Sequence, residues 1–330
     1  METLTQINEE YKKNIDKLNK IYNYHINRIR RLRIHPYYKR LYFQRLQNFY
    51  RYNLNKYKNL KEQKIKNYHN KLNSQQSNSQ EIDKNFKALM VGINYRNTNS
   101  ELRGCINDVN SLKKFLNNKN KVDYSNICTL TDDTSLKPTR DNILDKYKQL
   151  LINSKEGDIL YFTFSGHGSY TRDRNGDELD GKDELLVSID NKGITDDELK
   201  NIAQQYLKHN VTLFVLLDCC HSGTLLDLKY NYLSKNNFNH VIVNDKNSET
   251  KGNIYFISGC RDEQTSADAY INRKFQGAMT WSFLNSVNSK PDLSWKELLL
   301  KMRKLLKKHF TQVPQFSSGK SLDINSKTIF

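Results

Sequence analysis

Two apolar runs in the sequence end on residues of thiol and imidazole chemistry. The run "VTLFVLLD" (211–218) leads into the adjacent thiols Cys219 and Cys220, then His221 and Gly223. The run "DILYFTFS" (158–165) leads into His167, held between Gly166 and Gly168. An imidazole beside a thiol can take the thiol proton and later give it to a leaving amine, which is the need of nucleophilic acyl transfer. The glycines let the chain turn sharply, admit an extended substrate, and leave backbone N–H groups to face an oxyanion. Other chemistries fail on spacing. "CCHSGTLLD" lacks the arginine of a phosphate-binding thiolate loop, the lysine of a P-loop, and a partner pair for zinc. The residues alone do not choose between Cys219 and Cys220. The plainer alternative is a small buried thiol at 219 and a satisfied polar histidine at 221.

Strand ends far apart in sequence meet only if a sheet sets them side by side. Strands are expected at "FKALMVGINY" (86–95), "NICTLT" (126–131), "DILYFTFSGHG", "VTLFVLLDCC" and "NIYFISGC" (253–260). Helices are expected at "CINDVNSLKKFLNNK" (105–119), "TRDNILDKYKQLLINS" (139–154), "TDDELKNIAQQYLKH" (195–209), "AMTWSFLNSV" (278–287) and "SWKELLLKMRKLLKKH" (294–309). Apolar strands that do not alternate, separated by helices, predict an α/β fold with a mostly parallel central sheet covered on both faces. In such sheets chemistry sits beyond the carboxyl ends of the strands.

The formal net charge is +17, but residues 1–84 hold 19 Lys and Arg against 7 Asp and Glu, which leaves only +5 for the rest. Basicity therefore belongs to an N-terminal, tyrosine-rich arm with no glycine and one proline, Pro36, in which two or three basic helices are expected. The polar "NSQQSNSQ" (73–80) reads as a linker to a second domain, 85–330. The arm suits a solvated appendage, a polyanion contact (nucleic acid or another acidic surface), or an autoinhibitory pro-segment. Five cysteines, an odd number without CxxC spacing, argue against a disulfide framework. No apolar run is long enough to cross a membrane and the start lacks a secretory signal, so a cytoplasmic protein, monomeric, is expected.

Three stretches together, "YFTFSGHGSYTRDRNGDELDGKDELLVSID…GITDDEL", "FVLLDCCHSGTLLD" and "ISGCRDEQTSADAY…GAMTWSF", resemble the metacaspases, caspase-like cysteine peptidases activated by calcium. The resemblance covers residues 86–330. The short stretch between Cys220 and "NIYFISGC" is similar to the type with an N-terminal pro-region, although this arm is neither proline-rich nor a zinc finger. The resemblance implies a caspase-like fold and cleavage after Arg or Lys, and puts the nucleophile at Cys220 and the base at His167. It also implies a pocket for the substrate side chain at Cys105, Asp108, Ser165 and Asp218, and self-processing of an inactive form. Read alone, Asp108 is a first-turn carboxylate favoured by the helix dipole. A catalytically silent relative with a binding arm is the alternative in another class.

The segment "DRNGDELDGKDELL" is dense in carboxylates but breaks the EF-hand register, and by itself reads as an acidic hairpin. The resemblance implies a calcium ion held by Asp183, Asp196, Asp197 and Asp227. Hard carboxylate oxygens without soft ligands suit that ion.

Overall fold

The computed structural model describes residues 4–76, 85–120, 122–172, 182–219, 226, 228–232, 241–244, 248–260, 269–271, 274–290, 292–307, 310 and 312–330. The chain divides into two compact units, Met1–Ile82 and Asp83–Phe330. In the first, α1 (Leu4–Arg31) and α2 (Pro36–Gln76) pair as an antiparallel hairpin. Pro36 opens α2, where a missing N–H costs nothing and a fixed φ suits the helix. Ile7 and Leu18 are buried along the seam. The rings of Tyr22 and Tyr50 lie 4.6 Å apart, and the Tyr50 hydroxyl donates to Asn19 Oδ1 at 2.6 Å. The stretch expected as a linker from residue 73 begins as helix, because Asn73–Gln76 contain no breaker; residues 77–80 lie outside the described ones.

The second unit runs β1 (Phe86–Gly92), α3 (Cys105–Asn120), β2 (Ile127–Thr131), α4 (Arg140–Ile152), β3 (Ile159–Ser165), β4 (Gly168–Arg172), β5 (Lys182–Val187) and β6 (Gly193–Thr195). It continues through α5 (Asp196–Tyr206), β7 (Thr212–Asp218), β8 (Tyr230–Asn231), β9 (Ile242–Val243) and β10 (Asn253–Cys260). It closes with β11 (Ala269–Ile271), β12 (Lys274–Gln276), α6 (Ala278–Val287), α7 (Trp295–Leu306) and β13 (Val313–Ser318). Local signals start the helices where expected. Thr139 caps α4, and capping boxes join Thr195 to Glu198 on α5 and Ser294 to Glu297 on α7.

Eight strands form one sheet in the order β2-β1-β3-β7-β10-β13-β8-β9. The first five are mutually parallel, as expected. The far edge, β13, β8 and β9, is antiparallel and is not legible in the sequence, since "VPQFSS" of β13 carries a proline and two serines. Both faces are covered, so each central strand feeds two cores. On β7, Leu213, Val215 and Leu217 join Ile143 and Tyr147 of α4 and Leu199 of α5, while Phe214 and Leu216 join residues of α3, α6 and α7. The strand is therefore apolar throughout without being uniform in direction. A small sheet, β4-β5-β6, and a hairpin, β11-β12, lie apart from the main sheet.

Candidate active site

β3 and β7 are neighbours in register, with Ser165 opposite Asp218. The residues just beyond these strand ends, His167 after β3 and Cys219 after β7, therefore leave the sheet on adjacent strands. Ser165 and Asp218 continue the alternation toward α3 and α6. α3 comes close over β1 because Gly92 lacks a side chain: a Cβ there would stand 2.6 Å from the Cys105 carbonyl oxygen. The approach brings Asp108, in the first turn of α3, onto the strand ends. Ser165 Oγ donates to Asp108 Oδ2 at 2.7 Å, and the Gly277 N–H donates to both Asp108 oxygens at 2.9 Å. The Thr280 N–H, at the start of α6, donates to Asp218 Oδ2 at 2.8 Å. Asp108 thus spends its acceptors on β3 and α6, which is more than a helix-dipole role.

Both carboxylates are 1% exposed, and the buried Asp218 Oδ1 has no hydrogen-bond partner among the described residues. Burial, then the Asp218 carboxylate, holds Asp108 well above the usual range, against the donors of Ser165 and Gly277. Burial pushes Asp218 up to about 6, against hydrogen bonds from Thr280 and Met279. Burial and mutual repulsion thus act together against two full negative charges at this place. Gly277 lets both carboxylates close on the start of α6: a Cβ on it would lie 2.0 Å from Asp218 Oδ2 and 2.7 Å from Asp108 Oδ2.

His167 is held from three sides. Its Nε2 lies 2.7 Å from the Ser100 carbonyl oxygen. A carbonyl only accepts, so Nε2 carries the hydrogen and Nδ1 is the nitrogen able to take a proton. Its ring lies 4.6 Å from that of Tyr95, whose hydroxyl accepts the His167 N–H at 2.9 Å and donates to the Val187 carbonyl at 2.6 Å. The Val187 N–H donates to the His167 carbonyl at 3.0 Å, tying β5 to the histidine. Burial pushes the Tyr95 phenol up, so it remains a neutral donor. Tyr95 has φ 49°, a left-handed conformation that costs a bulky residue on the order of 1–3 kcal/mol and persists where the surroundings demand it. Tyr95, Ser100, Gly277 and Thr280 were not singled out from the sequence. The signal for Tyr95 is its place at the carboxyl end of β1, where parallel sheets do chemistry.

Cys219 is 1% exposed and packs in the core that also holds Tyr95 and the fully buried Cys105. Cys220 lies outside the described residues, as do Asp227 and the side chain of Asp183. None of Cys105, Cys128 and Cys219 is in a disulfide. Asp196 is buried at the start of α5 and its Oδ1 accepts the Asp197 N–H at 2.8 Å. β5 pairs Leu185 with Thr195, so the Asp183 backbone, two residues back, stands where the chain turns into α5 beside Asp196 and Asp197. Among the described residues no three His, Cys, Asp or Glu side chains gather as a metal site would require. The oxygen-only donors at 196 and 197 are nonetheless of the kind calcium takes. The "DRNGDELDGKDELL" segment is flanked by paired strands, Thr171 opposite Asp183, as a hairpin requires; residues 173–181 lie outside the described ones.

A mostly parallel sheet with helices on both faces, with His167 and Cys219 following two adjacent central strands, has the α/β architecture of the caspase-like class. Comparison with known proteins narrows the class. A family model described as "Metacaspase, peptidase C14 domain" matches residues 86–229. Metacaspase-1 of Meyerozyma guilliermondii is 34% identical, over 74% of this chain and 72% of its own length. Metacaspase-1 of Schizosaccharomyces pombe is 33% identical, over 72% of this chain and 68% of its own. A crystal structure of a Geobacter sulfurreducens protein shares the fold with a TM-score of 0.52 at 22% identity, over 72% of this chain and 95% of that one. The chain belongs to the metacaspase family, which makes it a caspase-like cysteine peptidase. Among the described residues no helix is long and apolar enough to cross a membrane.

Proposed function

We propose that the chain is a calcium-dependent endopeptidase that cleaves after arginine or lysine, with Cys220 as nucleophile and His167 as general base. The specificity rests on one observation: the buried Asp108–Asp218 pair with an acceptor oxygen left over. A guanidinium or ammonium that leaves water needs fixed negative charge and acceptors around it, and these carboxylates supply both. Arg is preferred over Lys because its planar fork meets two carboxylates with more hydrogen bonds than an ammonium can. An acidic side chain is repelled. Cys219 is committed to the core, which favours Cys220 as the reactive thiol. The Cys220 proton passes to His167 Nδ1, the thiolate adds to the substrate carbonyl carbon, and the imidazolium is stabilised by the Ser100 carbonyl at Nε2. The proton then goes to the leaving amine as the C–N bond breaks; water, giving its proton to His167, attacks the resulting thioester, the C–S bond breaks to release the acid, and the proton returns to the Cys220 thiolate.

Calcium is read as held by Asp183, Asp196, Asp197 and Asp227, where it would neutralise crowded carboxylates and steady the small sheet. The basic hairpin of the 1–84 arm is read as a contact for polyanions. Peptides with Arg, Lys or Asp before a fluorogenic reporter, assayed with calcium and with chelator, test the enzyme reading. Arg and Lys peptides should be cleaved, Arg faster, Asp peptides refused, and chelation should suppress turnover. Cys220→Ala should abolish activity while Cys219→Ala retains most of it. Cleavage after Asp would overturn the pocket, chelator-insensitive turnover the role of calcium, and an active Cys220→Ala enzyme the nucleophile. No turnover with any peptide would favour the silent relative.

A further inference from the structure

The residues assigned to peptide cleavage all lie in the second unit, and α2 of the first carries two stripes of large side chains where packing on α1 needs one. The stripe that meets α1 includes Tyr50, against Tyr22, and Lys61, over the Tyr11 ring. The second is Tyr38, Tyr42, Arg45, Phe49, Tyr52 and Lys56, advancing by alternate steps of four and three residues. At 100° and 1.5 Å per residue these six fall within about 40° of one line about 27 Å long, roughly 110° round the helix from the α1 seam. The four rings are exposed, by 56% at Tyr38, 46% at Tyr42, 50% at Phe49 and 69% at Tyr52, and so are Arg45 and Lys56. Around them α2 holds ten Lys and Arg against one acidic residue, Glu62.

We infer that this stripe binds single-stranded nucleic acid, with bases stacking on Tyr38, Tyr42, Phe49 and Tyr52 and phosphates meeting Arg45 and Lys56. The inference rests on reading the hairpin as a polyanion contact and adds the bases to it. Planar rings at intervals of one helical turn, interleaved with cations, suit a strand whose every unit offers a π-face and a negative charge. A second copy of the hairpin is disfavoured because two arms of net +12 repel and Arg45 and Lys56 sit in the stripe itself. A lipid surface wants Leu, Ile or Trp along the exposed line, whereas this line has none and is flanked by Asn48, Asn55 and Asn59.

The test uses the full chain and fluorescence anisotropy of a labelled oligothymidine, set against an abasic strand of equal length, a duplex, heparin and phosphatidylserine vesicles. Oligothymidine should bind at least fivefold tighter than the abasic strand, and Tyr42→Ala with Tyr52→Ala should weaken it by about tenfold or more, as expected for lost stacking. Tyr52→Phe, which keeps the ring, should bind like the unaltered protein. Arg45→Gln should lower the slope of log affinity against log salt by about 0.7. Peptidase activity should be the same in all these variants. If heparin and the abasic strand bind as well as oligothymidine and ring removal changes nothing, the polyanion arm stands and stacking is overturned. If no polyanion binds at low salt, both are overturned. Tighter binding to the duplex or to vesicles also overturns the inference.

Discussion

A carboxyl group that loses its water must be stabilised by something else, and Asp218 is stabilised only in part. Its Oδ2 has the Thr280 N–H, its Oδ1 has no partner among the described residues, and its neighbour is another buried carboxyl. A pKa raised to about 6 means that the folded state holds the proton more tightly than the unfolded chain. The associated stability is present below about pH 4 and is lost as pH rises through 6, a change on the order of 3 kcal/mol. Denaturant titrations from pH 4 to 7.5 should show Asp218→Asn losing less stability than the unaltered protein over that range. Parallel stability curves would place the proton elsewhere. Tyr95 is the other residue whose chemistry depends on one atom. Tyr95→Phe keeps the ring under His167 and removes the hydroxyl that links the His167 N–H to Val187. We expect kcat to fall about tenfold, the equivalent of a hydrogen bond of 1–2 kcal/mol, with KM for Arg peptides unchanged. A lowered melting temperature with unchanged kcat would reduce Tyr95 to a structural residue.

Elements meet at the site through absent side chains as much as through present ones. Gly277 precedes α6 and lies against both acidic oxygens. Gly277→Ala would force a methyl into two carboxylates already held by Ser165, Thr280 and α3, so neither can yield cheaply. Overpacking of this kind typically costs about 1–3 kcal/mol. Unfolding and peptide kinetics should together show that loss and at least a tenfold fall in kcat/KM for Arg peptides; unchanged values in both would mean that α6 shifts freely. β5 joins two of the positions named above along one strand. It carries Asp183 near one end, and at the other Val187, which bonds to both His167 and Tyr95. An ion that steadied the first end would thereby act on the base without touching it.

The whole chain separates charge from catalysis. Of the net +17, +12 lies in residues 1–84, while the second unit has hydrophobic cores of its own on both faces of its sheet. Deleting residues 1–82 should therefore leave a domain that unfolds cooperatively and retains peptidase activity, and should abolish oligothymidine and heparin binding. Calorimetry and the anisotropy assay check the two halves of this expectation. A truncated chain that fails to fold would show that the hairpin contributes to the catalytic core. One that is several-fold more active than the unprocessed full chain would show that the arm restrains the enzyme.

Much of this was legible in the residues themselves. The five parallel strands, the helices between them and the caps at Thr139, Thr195 and Ser294 follow from short-range periodicity and hydrogen bonding, which a sequence displays directly. The motifs around His167 and Cys220 were enough to point to the family. The resemblance put Asp108 and Asp218 in one pocket, but only the tertiary structure decided that Cys219 belongs to the core, that Gly277 and Thr280 hold those two carboxylates, and that Tyr95 lies beneath His167. The antiparallel edge of β13, β8 and β9 and the α2 stripe's separation from the α1 seam also appear only there. Each of these depends on which strands lie side by side and on how closely a helix approaches a sheet. Such distances are set by pairings between residues remote in the chain, as between Gly92 and α3 or Gly277 and β7, and a local pattern of residue types does not record them.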